Sequence, residues 1–168
     1  LDDANMDKAV QGIAMGIFGN TGQVCVAGSR LYIQRGIFDK AVERISKEAR
    51  SLKVGPGLHP ETNIGPLVSE AHRDKVMGCI EAGMKAGGEA VTGGSQIDGP
   101  GYYVEPTVLI NPPQSSDVVQ QEIFGPVITA IPFDDLDEAA ALANDTTYGL
   151  SSYVWSRDIQ KVHQLVPK

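Results

Sequence analysis

The sequence predicts a three-layer α/β/α domain, an open and mostly parallel sheet with helices on both faces. Three observations predict it. Segments with apolar residues at helical spacing alternate with short runs rich in Val, Ile, Leu and Thr, the order that builds parallel strand-helix units. Glycine and proline clusters such as Gly55-Pro56-Gly57 separate these segments and mark turns. A chain of 168 residues with 42% hydrophobic content is large enough for one well-buried core and too small for two ordinary domains, so residues 1–168 read as a single domain.

From Ala4 to Phe18 the residues Val10, Ile13, Ala14, Ile17 and Phe18 share a helical face that ends before Gly19. Leu31-Tyr32-Ile33 follows as a short buried strand. Ile37 to Leu52 is an amphipathic helix, with Phe38, Ala41, Val42, Ile45, Ala49 and Leu52 on one face. Ser69 to Lys85 is the next helix, its apolar side formed by Val76, Met77 and Ile80, and Cys79 within it reads as a small apolar helix residue. Glu89 to Thr92, Thr107 to Ile110, Val127 to Phe133 and Ser152 to Trp155 are strand candidates. Val127 to Phe133 carries the strongest signal because Val, Ile and Thr dominate it. Between the last two strands lies a helix from Leu136 to Ala143, for which Asp134 or Asp135 serves as N-cap, and Asp158 caps a final helix containing Ile159, Val162 and Leu165. Gly93 to Gly101 and Asn111 to Asp117 read as surface loops.

The net charge of −7 with no basic run argues against nucleic acid or an anionic membrane surface as partner. No apolar run approaches the ~20 residues of a membrane span. The beginning, Leu1-Asp2-Asp3-Ala4-Asn5, has neither a start methionine nor a signal-peptide pattern, and the chain is expected to begin mid-gene. Two cysteines, Cys25 and Cys79, are too few for a disulfide framework, and a functional thiol belongs where thiols stay reduced, so a cytoplasmic setting is expected. His59, His72 and His163 are scattered, and neither cysteine has metal-ligand spacing. No metal site is expected, and the histidines read as ordinary surface or capping residues.

The most informative segment is Gly22-Gln23-Val24-Cys25-Val26-Ala27-Gly28-Ser29-Arg30. It sets a cysteine in a glycine-bracketed turn between a helical and an extended pattern. A thiolate there is a strong nucleophile, and backbone N–H groups at such a turn can face an oxyanion formed beside the sulfur. For an arbitrary cysteine the bland alternative, a small buried side chain, is the commoner one. A second patch, Gln121-Glu122-Ile123-Phe124-Gly125-Pro126-Val127, changes that balance.

Together and in this order the two patches resemble the aldehyde dehydrogenase superfamily. Gly65-Pro66-Leu67, Gly101-Tyr102-Tyr103-Val104-Glu105-Pro106-Thr107 and Asn144-Asp145-Thr146-Thr147-Tyr148-Gly149-Leu150 are also similar to family segments in family order, so the resemblance spans essentially the whole chain. It implies the catalytic-domain fold of that family and an NAD(P)-dependent enzyme that oxidises a small-molecule aldehyde to a carboxylic acid. Cys25 would be the nucleophile, forming a thiohemiacetal and then a thioester, with its own N–H holding part of the oxyanion. Glu122 would accept hydrogen bonds from the nicotinamide ribose of NAD or NADP, Phe124 would wall the nicotinamide, and Val24 and Val26 would line the substrate pocket. Asn144 and Tyr148 resemble positions with structural roles. Arg30 is a candidate to orient the thiol loop through backbone carbonyls, with an exposed salt bridge as the alternative.

The family's cofactor-binding domain, oxyanion Asn and Glu general base precede the nucleophile, and its C-terminal oligomerisation strand follows. The chain is therefore expected to be a catalytic-domain fragment, inactive alone, of an enzyme that is a homo-oligomer, dimer or tetramer. Two other readings stand beside this one. A cysteine acyl-transfer or hydrolase domain would need a histidine within reach of Cys25, and a truncated non-catalytic module would need neither.

Overall fold

Seven residues, Val127–Phe133, form the central strand, and their almost unbroken apolar run suits a strand covered on both faces. The structure is a computed structural model that describes Leu1–Lys168. In chain order the strands are β1 (Arg30–Gln34), β2 (Glu89–Thr92), β3 (Gln96–Ile97), β4 (Tyr103–Val104), β5 (Thr107–Ile110) and β6 (Val127–Phe133). The helices are α1 (Met6–Phe18), α2 (Phe38–Ser51), α3 (Glu70–Lys85), α4 (Asp117–Gln120), α5 (Leu136–Asn144) and α6 (Ile159–Leu165). The main sheet has the order β1-β6-β5-β2. Strand β6 runs parallel to both neighbours, pairing Arg30 with Thr129 and Thr107 with Val127, and β2 closes the other edge antiparallel to β5.

The two-residue period of a strand sends alternate side chains to opposite layers. Val108 and Ile128 face a core cluster with Val10, Ala14, Ile17 and Phe18 of α1 and Ile45 and Ala49 of α2. Leu109 and Val127 face the other side, packing with Val76 and Ile80 of α3, Val118 and Val119 of α4, and Ile123. Helices thus cover both faces, as the sequence predicts. The helix starts follow the sequence too. Asn5, Ser69, Asp135 and Asp158 each accept a hydrogen bond from a first-turn N–H, which satisfies donors the helix cannot.

Three local expectations change. Ser152–Trp155 is not a strand. No ladder lies beside it, and it is pinned instead by the Leu1 amino group donating to the Trp155 carbonyl (2.9 Å) and by the Trp155 ring lying flush against α1, where a Cβ on Gly12 would come within 2.3 Å of it. The Gly93–Gly101 loop contains β3, which pairs with β4 just beyond it. The Asn111–Asp117 loop runs into α4, one turn long and too short to show a helical period. Near the start of the chain, the Asp3 carboxylate accepts from the Ser156 hydroxyl (2.7 Å) and from the N–H groups of Arg157 and Asp158. These bonds, the Ser156 one foremost, lower its pKa to about 2.

Candidate active site

The chain leaves α1 through a short run of left-handed backbone, with φ of 50° at Asn20, 60° at Thr21 and 68° at Gly22. A β-branched residue at positive φ is an outlier and persists only where surroundings over-determine it. Here the Thr21 hydroxyl is buried and donates to the Gly65 carbonyl (3.1 Å), and the Asn20 amide donates to the Gln23 carbonyl (3.1 Å). The Gln23 side chain continues the anchoring, accepting from the Val68 N–H (3.0 Å) and donating to the Pro66 carbonyl (3.4 Å). The Gly65-Pro66-Leu67 segment, similar to a family segment for no evident reason in the sequence, is the floor on which the thiol turn rests.

Val24 to Ala27 is a tight turn closed by the Ala27 N–H on the Val24 carbonyl (3.0 Å), with Cys25 at its first central position. Cys25 is exposed, and its own N–H donates to no group of the chain, leaving that donor free beside the sulfur. The Val26 carbonyl accepts from the Tyr153 hydroxyl (3.1 Å) and the Ser151 hydroxyl (3.5 Å). Cys79 contrasts with Cys25. It is half-buried on α3, and burial pushes its thiol pKa up, against the opposing charge of Lys75.

The two sequence patches meet through their backbones. A Cβ on Gly22 would lie 2.0 Å from the Gly125 carbonyl oxygen, so no side chain fits between them and only glycine permits both the φ and the approach. On its other side Gly125 lies against Val76 of α3, where a Cβ would sit 2.7 Å from a valine methyl. Phe124, just before it, has φ of 57°.

The sequence pass missed what holds this second loop. Lys75 donates to the Glu122 carbonyl (2.8 Å), and the His72 ring Nε2 lies 2.6 Å from the Phe124 carbonyl. The His72 ring also meets the Phe124 ring edge to face, with centroids 6.0 Å apart. His72 is thus neither an idle surface residue nor a cap through its side chain. The signal available in the sequence was only a pair of polar residues three apart on one face of α3.

One cavity of about 690 Å³ is lined by Val24, Cys25, Glu122 and Phe124. Val26 is not among its lining residues; its side chain is exposed, and the fold engages its carbonyl instead. None of the three histidines of residues 1–168 lines the cavity. The Arg30 guanidinium bonds no carbonyl of the thiol loop; it donates to the Tyr32 hydroxyl (3.4 Å) and to the Ala143 carbonyl at the end of α5 (3.4 Å). No cluster of His, Cys, Asp and Glu side chains could hold a metal ion, and no helix is long and apolar enough to cross a membrane.

The family model for the aldehyde dehydrogenase family matches residues 1–168. The chain belongs to that family. It is 40% identical over 170 residues to the betaine aldehyde dehydrogenase of Bacillus subtilis, covering 99% of this chain and 35% of the relative. It is 40% identical over 158 residues to the mitochondrial aldehyde dehydrogenase of Leishmania tarentolae, covering 94% and 32%. Among solved structures, the NAD+ complex of an aldehyde dehydrogenase from Bacillus cereus matches with a TM-score of 0.96 at 38% identity, over 99% of this chain and 34% of that one. The chain thus spans about a third of the length of the relatives it matches.

Proposed function

We propose that this chain is the thiol-bearing catalytic domain, residues 1–168, of an NAD(P)-dependent aldehyde dehydrogenase acting on a small aldehyde. The observation that carries the reading is the backbone contact of Gly22 with Gly125, which brings an exposed thiol turn and the Glu122–Phe124 loop to the walls of one cavity.

Cys25, as thiolate, attacks the aldehyde carbonyl carbon, and the carbon–oxygen π pair moves to oxygen. The free Cys25 N–H is one donor for that oxyanion, and such donors strengthen in a water-poor site. Val24, half-buried on the cavity wall, supplies the apolar flank for the substrate, while Val26 takes part only through its carbonyl. Bound NAD or NADP supplies the hydride acceptor. Loss of hydride from the thiohemiacetal carbon leaves a thioester on sulfur, and water cleaves it to the acid and the free thiol. The residues present suit the cofactor's nicotinamide end. Glu122 offers an exposed acceptor-only carboxylate, able to take hydrogen bonds from two neighbouring ribose hydroxyls, and Phe124 offers a half-buried aromatic face. Within residues 1–168 no histidine lines the cavity beside Cys25, which favours the dehydrogenase reading over a Cys–His hydrolase.

A nucleophilic thiol belongs where thiols stay reduced, which favours a cytoplasmic setting, and the complete enzyme is taken as a homo-oligomer, dimer or tetramer. The test joins labelling to turnover in the complete protein. Brief iodoacetamide treatment should modify Cys25 ahead of Cys79, and Cys25→Ala should abolish NAD(P)H formation. Preferential modification of Cys79, or turnover that survives Cys25→Ala, would refute the assignment.

A further inference from the structure

One segment reaches both walls of the cavity. Gly65 and Pro66 accept from Thr21 and Gln23 of the thiol turn, and Val68 donates to Gln23. A turn of helix later, His72 and Lys75 reach the carbonyls of Phe124 and Glu122. Residues 65–75 therefore form a bracket gripping the nucleophile on one side and the opposite wall on the other. The weakest point of that wall is Phe124. It is a non-glycine residue with φ of 57°, a strained conformation that must be held from outside.

We infer that His72 is a positioning residue: its Nε2–H holds the Phe124 carbonyl and so fixes the loop that carries Glu122 and the Phe124 ring. This rests on the cofactor role proposed for those two residues. The chemistry of the pair fixes the direction of the bond. A carbonyl oxygen only accepts, so at 2.6 Å the proton sits on Nε2, whether the ring is neutral or an imidazolium. The ring contact with Phe124 adds packing, but only the N–H constrains the carbonyl and with it the left-handed φ. Lys75, on an exposed and flexible stem, is the weaker of the two grips because holding it costs more side-chain freedom.

Two substitutions in the complete protein separate the N–H from the ring. His72→Phe keeps an aromatic edge against Phe124 and removes the donor. His72→Gln removes the ring and keeps a donor. Hydrogen exchange of the peptide Gln121–Val127 reads the loop without reference to activity, and single-turnover NAD(P)H formation reads its consequence. His72→Phe is expected to speed exchange in that peptide, leave β5 unchanged, and slow the hydride step about tenfold to a hundredfold through misplacement of reacting atoms, with aldehyde KM little changed. His72→Gln is expected to restore both readouts. Unchanged exchange in His72→Phe would overturn the proposal, as would faster exchange with an unaltered hydride step, or equal damage from Phe and Gln. A wild-type protein with no Cys25-dependent NAD(P)H formation would instead sink the functional reading and the catalytic consequence drawn from it, while exchange still decides whether His72 holds the loop.

Discussion

The thiol turn and the Glu122–Gly125 loop face the same cavity, yet they are held in opposite ways. The thiol turn reaches outward with its own side chains: Asn20, Thr21 and Gln23 each make a hydrogen bond that fixes the backbone around them. The second loop's hydrogen bonds to side chains use only its carbonyls, and the donors belong to α3. Both contain left-handed non-glycine residues, so both need restraint. The difference is where the restraint is encoded, within the loop itself or about fifty residues earlier on a helix whose main business is packing the core.

The harshest way to break this arrangement is Gly22→Ala, since both loops depend on their backbone contact. The new methyl would collide with the Gly125 carbonyl at a φ that alanine resists, and we expect a loss of about 2–4 kcal/mol in unfolding free energy. Urea denaturation measures it, and a cost below ~1 kcal/mol would mean that the two loops move apart freely. Glu122→Gln tests the second loop's chemistry with its anchors intact. The hydride step should slow about tenfold or more, with aldehyde KM nearly unchanged; an unaltered single-turnover rate with a raised KM would remove Glu122 from the cofactor role.

Thr21→Val sharpens the contrast by deleting one self-made anchor while keeping the shape. Leaving the Gly65 carbonyl without its donor should cost about 1–2 kcal/mol, visible by denaturation, and Gln121–Val127 exchange should not change. Faster exchange in that peptide would show that the two loops share one restraint. Asp3→Asn is the smallest perturbation and should touch neither loop. The Asp3 carboxyl titrates at about 2 when folded against an ordinary value of 3.8. Its contribution is therefore fully present above the ordinary value and is lost as pH falls through the folded one. Wild-type stability should fall more steeply than that of Asp3→Asn between these two values, and equal slopes would show that the bonds to Ser156, Arg157 and Asp158 contribute nothing.

The contrast between the loops also explains what could be read in the sequence. Apolar spacing located α1, α2, α3, α5 and the four strands of the main sheet, because Val10 to Phe18 and Val127 to Phe133 are patterned by the core they build. Ser152–Trp155 has the composition of a strand but not the neighbour, and composition cannot report a missing ladder partner. At the site, Gly22 and Gln23 lie beside Cys25 and could be quoted with it. His72 could not, since its partner is a backbone carbonyl, and a carbonyl has no residue identity to recognise.

The contact of Gly22 with Gly125 has a kinetic consequence. Its two glycines are separated by roughly a hundred residues, and the long loop between them is closed by the pairing of β1 with β6 a few residues beyond each, so the contact can form only once that non-local pairing has been made. The cavity should form late in folding, after β5 and β6 have docked between the helices, and open early on unfolding. Exposed Cys25 is then a poor clock for that opening because it reacts in the folded state. Half-buried Cys79, on the helix against which Gly125 packs, would time it.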